Sequence, residues 1–330
     1  MTGLTIITGG AGFIGSNLVA ALAARGEEVV ICDRLGSGDK WRNLAKHLVT
    51  GFVAPDLLPS FLAARAGSVK AVLHMGAISA TTETDADLIV ETNIGLSTLL
   101  WDWCAAHDVP LIYASSAATY GDGSQGFSDD NDPAALAALR PLNAYGWSKL
   151  AFDRFVIDQV GRGRRRPPQW AGLKFFNVYG PNEYHKGEMM SVVAKNHPIA
   201  AVGGRVRLFK SHHPDYADGG QLRDFVYVRD CVDVVLWLLG NPGISGIFNV
   251  GSGQARSFAD LITALYRAVD REPAIDYVDM PDHLRAKYQY FTQGKLDRLR
   301  ASGYTAPMTG LENGVTDYVR HFLSQPDPYR

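Results

Sequence analysis

The 330-residue sequence has only three cysteines, Cys32, Cys104 and Cys231. They are odd in number, far apart and set in apolar segments, which excludes a disulfide framework and suits free thiols in a reducing compartment. An excess of either charge is also missing. With 32 Lys and Arg against 34 Asp and Glu, the net charge is -2, so no global field draws the chain to nucleic acid or to an anionic membrane. A small molecule is the expected partner. No apolar run reaches the ~18 residues that a membrane span needs, and the start of the chain lacks the basic region of a signal peptide. These two absences predict a cytoplasmic protein. No internal repeat or long low-complexity tract is present, which excludes solenoids and extended disordered linkers.

What is present is a 46% hydrophobic composition, enough for one large α/β unit or two joined domains. Short apolar runs at 4–8, 28–32, 71–74 and 111–114 alternate with helical patterns from Phe13 and across 88–106. Such alternation predicts a parallel sheet wrapped by helices. Val29-Val30-Ile31 is apolar without alternation, as expected of a strand covered on both faces. A further helix is predicted from Tyr145 to Val160 and a strand at 173–176, with a solvated basic loop at 162–168 between them. Beyond Gly180 the rhythm loosens around a polar segment at 211–221, followed by a helix at 230–239, a strand at 247–250 and a helix capped by Ser257 and Asp260. The expected fold is α/β: a doubly wound, Rossmann-type parallel sheet in a domain formed mainly by residues 1–172, with a smaller mixed α/β substrate lobe formed mainly by 173–330. Some segments of the second part return to the large domain.

Thr8-Gly9-Gly10-Ala11-Gly12-Phe13-Ile14-Gly15 follows a predicted strand and opens a predicted helix. Glycines let a backbone turn tightly and approach a pyrophosphate, while a helix N-terminus offers unpaired N–H groups and partial positive charge. Gly9, Gly12, Phe13, Ile14 and Gly15 are therefore candidate dinucleotide contacts. Asp33 closes the second strand, where a carboxylate binds ribose hydroxyls and by itself favours NAD. Arg34 and Lys40 follow, and either cation suits a 2'-phosphate, so the local chemistry leans to NADP with NAD as the alternative. Each is equally readable as a solvated loop cation.

Tyr145 and Lys149 stand one helical turn apart, on one face. A phenol is a poor base near neutrality, but a lysine cation and an oxidised nicotinamide stabilise its anion. The spacing alone is weak evidence. Its company strengthens it, because Ser116 ends the strand 111–114 and active groups in such sheets gather at strand carboxyl ends.

Thr8-Gly9-x-x-Gly12-x-x-Gly15, the Ser116, Tyr145 and Lys149 set, Asn177-Val178-Tyr179-Gly180-Pro181 and Arg223-Asp224-Phe225-Val226-Tyr227 together resemble the extended short-chain dehydrogenases/reductases that modify nucleotide sugars. Within them the chain is most similar to the ADP-heptose 6-epimerase family, through 114–121, Gly76-Ala77 with Thr81-Thr82-Glu83, His185-Lys186-Gly187 and Tyr288-Gln289-Tyr290-Phe291-Thr292-Gln293. The resemblance implies a hydride shuttle on bound NADP that inverts the exocyclic C6 carbon of ADP-heptose, with no net redox change. It implies Tyr145 and Lys186 as acid/base groups, Lys149 on the cofactor ribose and Ser116 on the substrate oxygen. Asn177 and Arg223 are implied contacts of sugar or diphosphate, and His185, Phe209 and Tyr288 are implied pocket residues. Without the resemblance, Lys186 reads as a loop lysine and Phe209 and Tyr288 as core. Lys174 and Asn182 depart from arginines that related sequences can carry. The resemblance also implies a homo-oligomer, with a pentamer as its guide. The rival reading is another nucleotide-sugar epimerase, such as one acting at C4 of a UDP-hexose; a silent NADP-binding protein is the rival from another class. Dehydratase chemistry is disfavoured because Ala117 and Ala118 stand where that class carries an acidic pair. The 211–221 segment contains His212, His213, Asp215 and Asp218 at no established zinc spacing, so no metal is expected.

Overall fold

The computed structural model describes residues 3–285 and 288–330. Seven parallel strands form the main sheet in the order β10-β6-β5-β4-β1-β2-β3, where β1 is Leu4–Thr8, β2 Val29–Cys32, β3 Gly51–Val53, β4 Val69–His74, β5 Leu111–Ser116, β6 Trp170–Phe175 and β10 Gly246–Val250. Every residue of β1, β2 and β6 is buried, which is why these strands read as unbroken apolar runs. The order reverses between β1 and β4, so a crevice opens at the strand carboxyl ends there. Helix Phe13–Ala23 follows β1, and helix Ala144–Gly161 precedes β6 and packs on β5.

The second half is only partly a separate lobe. Its β10, the expected strand at 247–250, pairs with β6 in the main sheet, and residues 172 and 173 both lie inside β6. The smaller layer consists of β11-β9-β7 and the pair β12-β8, with β7 Asn177–Tyr179, β8 Val206–Phe209, β9 Leu222–Tyr227, β11 Ala255–Ser257 and β12 Ile275–Val278. Helix Phe258–Ala268 starts with the expected capping box, Ser257 with Asp260. Its buried face, including Leu261, Leu265 and Tyr266, shares a core with Val206, Phe225 and Val315. All three cysteines are free and buried. Among the described residues no helix is long and apolar enough to cross a membrane.

The helix expected over 88–106 is divided. Ala86–Ile89 and Leu96–Ala106 are α-helical, but Val90–Gly95 between them is a π turn. Side-chain competition for the backbone accounts for the widening. The Asn93 amide accepts from Ile78 N (2.8 Å) and donates to Ile78 O and to Ser148 Oγ, both at 3.0 Å, while Ser97 Oγ donates to Asn93 O at 2.5 Å.

Candidate active site

The glycine loop after β1 is obligatory by geometry. Gly9 has φ +65°, and a Cβ there would sit 2.6 Å from the Gly76 backbone; one at Gly15 would sit 2.1 Å from Gly9 O. Gly12 caps helix Phe13–Ala23 without a side-chain hydrogen bond, and no acidic residue stands in its first turn, so the helix offers its N-terminal amides unspent. Asp33 Oδ2 accepts from Ala11 N at 2.9 Å, tying the end of β2 to this loop. The two cations expected beside it are both paired with carboxylates. Lys40 Nζ lies 2.6 Å from Asp33 Oδ1, and Arg34 grips Asp56 through both oxygens at 2.6 and 2.7 Å. The Arg34 pair is exposed, so solvent leaves it little net strength.

One cavity of about 910 Å³ runs from this loop to the small lobe. It is lined by Gly9, Gly12, Phe13, Ile14, Gly15, Asp33, Arg34 and Lys40 at one end, and by Ser116, Tyr145, Lys149, Asn177, His185, Lys186 and Arg223 toward the other. Phe209 and Tyr288 do not line it. They meet edge to face at 6.5 Å, and the Arg223 guanidinium, 5.4 Å above the Tyr288 ring, connects them to it.

Tyr145 enters at the start of helix Ala144–Gly161, whose Asn143 cap accepts from Gly146 N at 2.8 Å. Burial pushes its phenol above the usual value, and the Ser116 hydroxyl pulls it back. Ser116, at the carboxyl end of β5, also accepts from Ala118 N at 3.1 Å. Burial pushes Lys149 down to about 8, opposed by Asp153. Lys186 rides on the turn Tyr184–Met189, with its ammonium 5.1 Å above the Phe13 ring; burial lowers its pKa and Glu183 opposes the shift. Glu183 pins this turn by accepting from Ser191 N, Ser191 Oγ and Tyr318 OH at 2.5, 2.7 and 3.1 Å. His185 is pushed down to about 4, first by burial and then by Lys40 and Lys186, so near neutrality it is uncharged.

Two buried groups beneath the cavity escape a reading of the sequence. His74, at the end of β4, contacts Thr8 Oγ1 at 2.6 Å and Ser97 Oγ at 2.8 Å. Ser97 spends its proton on Asn93 O, so His74 Nε2–H donates to Ser97 and Nδ1 accepts from Thr8. Burial, reinforced by Lys149, holds His74 at about 3, and the ring stays neutral. The chain continues through Asn93 and Ser148, whose hydroxyl donates to Tyr145 O at 2.7 Å. Glycine loop, π turn and Tyr145 thus share one hydrogen-bonded support. The second group is Asp153, two turns beyond Tyr145 on the same helix face. It accepts from Ser115 Oγ and Lys174 Nζ at 2.7 Å and from Tyr113 OH at 3.1 Å. A histidine ending an apolar strand carries no signal in the sequence. An aspartate at the third position of the series 145, 149 and 153 does, because it falls on a buried helix face.

The 211–221 segment spends its polar groups internally: Asp218 accepts from Ser211 N at 2.8 Å, and His213 approaches Asp215 at 3.8 Å. Among the described residues no group of three or more His, Cys, Asp or Glu side chains is placed to hold a metal ion.

Residues 5–251 match the family model described as the NAD dependent epimerase/dehydratase family. The chain is 51% identical over 327 residues to ADP-L-glycero-D-manno-heptose-6-epimerase of Nitratidesulfovibrio vulgaris (strain DP4), covering 98% of this chain and 99% of that protein. The solved structure of Helicobacter pylori ADP-L-glycero-D-manno-heptose-6-epimerase is 29% identical with a TM-score of 0.77, over 97% of this chain and 96% of that one. Thermus thermophilus UDP-glucose 4-epimerase, solved in complex with NAD, is 27% identical with a TM-score of 0.74, over 96% and 98%. With its parallel sheet, glycine loop and nearly full-length likeness, the chain belongs to the NAD dependent epimerase/dehydratase family, among the ADP-L-glycero-D-manno-heptose-6-epimerases.

Proposed function

We propose that the protein inverts C6 of ADP-D-glycero-D-manno-heptose, giving ADP-L-glycero-D-manno-heptose, with NADP as its resident cofactor. One observation carries this reading: two proton-transfer groups from different elements, Tyr145 and Lys186, open onto the same cavity as the glycine loop. A dinucleotide fits the residues present, since Gly9 and Gly15 let the loop fold tightly against the backbone of Gly76 and of Gly9 itself, where any Cβ would clash, and the helix amides beyond Gly12 are uncapped. Gly9, Gly12, Phe13, Ile14 and Gly15 would hold its pyrophosphate, Asp33 and Lys149 its riboses, and Arg34 and Lys40 its 2'-phosphate. When bound, the oxidised nicotinamide supplies a hydride acceptor that later returns the hydride, and its positive charge favours phenolate at Tyr145.

The chain's own residues then handle protons and position. Tyr145 takes the proton of the C6 hydroxyl, and the Ser116 hydroxyl holds the same oxygen. C6 lies outside the sugar ring, so rotation about the exocyclic bond presents either face of the carbonyl to a fixed cofactor, and each face needs its own proton partner. Lys186 is the second partner. Its lowered pKa eases proton transfer near neutrality. Asn177, His185 and Arg223 hold the sugar and diphosphate, with Phe209 and Tyr288 beside them.

The test uses the purified protein and ADP-D-glycero-D-manno-heptose carrying deuterium at C6. The expected result is the inverted epimer with deuterium retained at C6 and no added oxidant. Deuterium lost to solvent, or inversion only of a UDP-hexose at C4, defeats the reading.

The cofactor assignment has a separate consequence. In the double variant Arg34→Ala/Lys40→Ala, NADP should bind at least ~10-fold more weakly while NAD changes little, because two charge-assisted contacts to one phosphate are lost. Titrating each cofactor into cofactor-free protein measures this. Equal losses for both cofactors would remove these cations from phosphate recognition.

A further inference from the structure

Residues 324–330, beyond the last helical turn Val319–Leu323, form no helix or strand, yet the segment is anchored along its length. Lys46 Nζ donates to Tyr329 O at 2.6 Å and pairs with Asp327 at 3.0 Å, while Arg330 O accepts from His47 Nε2 at 3.1 Å. The Tyr329 ring is buried, with the Arg42 guanidinium 4.6 Å above it and the Tyr184 ring 5.1 Å away, edge on at 88°. One side of the segment therefore grips 42–47, just beyond Lys40.

The other side grips the turn Tyr184–Met189, which carries His185 and Lys186. Tyr184 OH donates to Pro328 O at 2.8 Å, and Arg330 N donates to Asn182 Oδ1 at 2.9 Å. Asn182 is fully buried at φ +73°, and its amide donates onward to Ser16 Oγ at 3.0 Å. The Arg330 guanidinium donates to Asn17 Oδ1 at 3.0 Å, and Asn17 Nδ2 donates to Phe13 O and to Pro181 O, both at 2.9 Å. Phe13 is the ring beneath the Lys186 ammonium. From the 42–47 side, Asn43 Nδ2 donates to Ala11 O at 2.8 Å and to His185 Nδ1 at 3.1 Å. The turn and the ring on which Lys186 rests are thus fastened by one segment.

We propose that residues 326–330 are a positioning strap for the second proton-transfer group, and that Tyr329, set between Arg42 and Tyr184, is its anchor. This rests on the role given to Lys186 above and adds what holds that lysine in place. A lysine stem is flexible, so its ammonium stands where the turn and the Phe13 ring put it. Proton transfer is steeply sensitive to such placement.

The test compares Tyr329→Ala and Tyr329→Phe with wild type as NADP-loaded proteins. Amide hydrogen exchange, read by mass spectrometry, should quicken across 182–190 in Tyr329→Ala and stay at the wild-type level across 144–161, the helix of Tyr145. Its kcat for ADP-D-glycero-D-manno-heptose should fall about tenfold, with KM within about twofold of wild type. Phe keeps the ring, and Tyr329→Phe should match wild type in both readings. In a Lys186→Met background Tyr329→Ala should cost nothing further, because the group it positions is already gone. Unchanged exchange across 182–190, equal quickening of both segments, wild-type kcat in Tyr329→Ala, equal damage in Tyr329→Phe, or additive losses with Lys186→Met overturns the proposal. Wild-type turnover in Lys186→Met removes that lysine from the chemistry instead, and exchange across 182–190 then still decides whether the strap holds the turn.

Discussion

Replacing Tyr145 with Phe should lower turnover by roughly 10²–10⁴-fold, the usual contribution of a positioned acid/base group, while NADP retention stays at the wild-type level. Only the phenol oxygen is removed. The ring keeps its place on helix Ala144–Gly161, because the Asn143 cap and the bond from Ser148 to Tyr145 O act on backbone that the substitution leaves alone. Lys149, the glycine loop and Asp33 are equally untouched, so the cofactor contacts survive. In the protein by itself, burial holds this phenol above its usual value. Its service as a base therefore depends on the cationic surroundings completed by cofactor, and a variant without the oxygen has no substitute there. Epimer formation over time, with cofactor content measured after gel filtration, checks the expectation. Wild-type turnover in Tyr145→Phe would remove this residue from the mechanism. Loss of turnover together with loss of cofactor would give it a structural role instead.

The large sheet was legible because its strands are covered on both faces, and two-sided burial writes itself as apolar runs such as Leu4–Thr8 and Val29–Cys32. The small layer was not legible. β7 and β11 have three residues each, and neither is buried throughout, so neither the apolar-run signal nor a full alternation can develop. The π turn at Val90–Gly95 depends on Asn93 reaching Ile78 and Ser148, contacts 15 and 55 residues away in the chain that no local pattern encodes. The candidate site divides in the same way. Tyr145 and Lys149 follow from helical spacing, and the glycine loop follows from its strand and helix neighbours. Lys186 is visible only through resemblance, since a lysine in a turn has the same local signature whether it faces solvent or a cavity. Asp33 illustrates a different limit: its position after β2 was readable, but its bonds to Ala11 N and Lys40 arise only when the two strands lie side by side.

Replacing Lys174 with Met should cost about 3–5 kcal/mol of stability, the penalty of stranding one member of a buried ion pair. Both partners are fully buried: Lys174 Nζ lies 2.7 Å from Asp153 Oδ2 and donates at 2.7 Å to Thr119 Oγ1, and it stands 5.0 Å over the Tyr120 ring. Methionine fills similar volume, so the loss would come from charge rather than from a cavity. Asp153 would keep the hydroxyl donors Ser115 and Tyr113, which cannot neutralise it. Lys174→Arg keeps the cation and offers a planar fork to Asp153 and Thr119, so it should lose much less. Urea unfolding at pH 7 would read the effect as a lower midpoint with an unchanged slope; a midpoint equal to wild type in Lys174→Met would show that Asp153 does not need its cation. The damage should also reach the site. Asp153 shares a helix face with Tyr145 and Lys149 and anchors that helix to β5 and β6, so loosening it shifts both reacting groups at once. Turnover in folded Lys174→Met should fall further than Lys174→Arg, through displacement of groups that remain chemically intact.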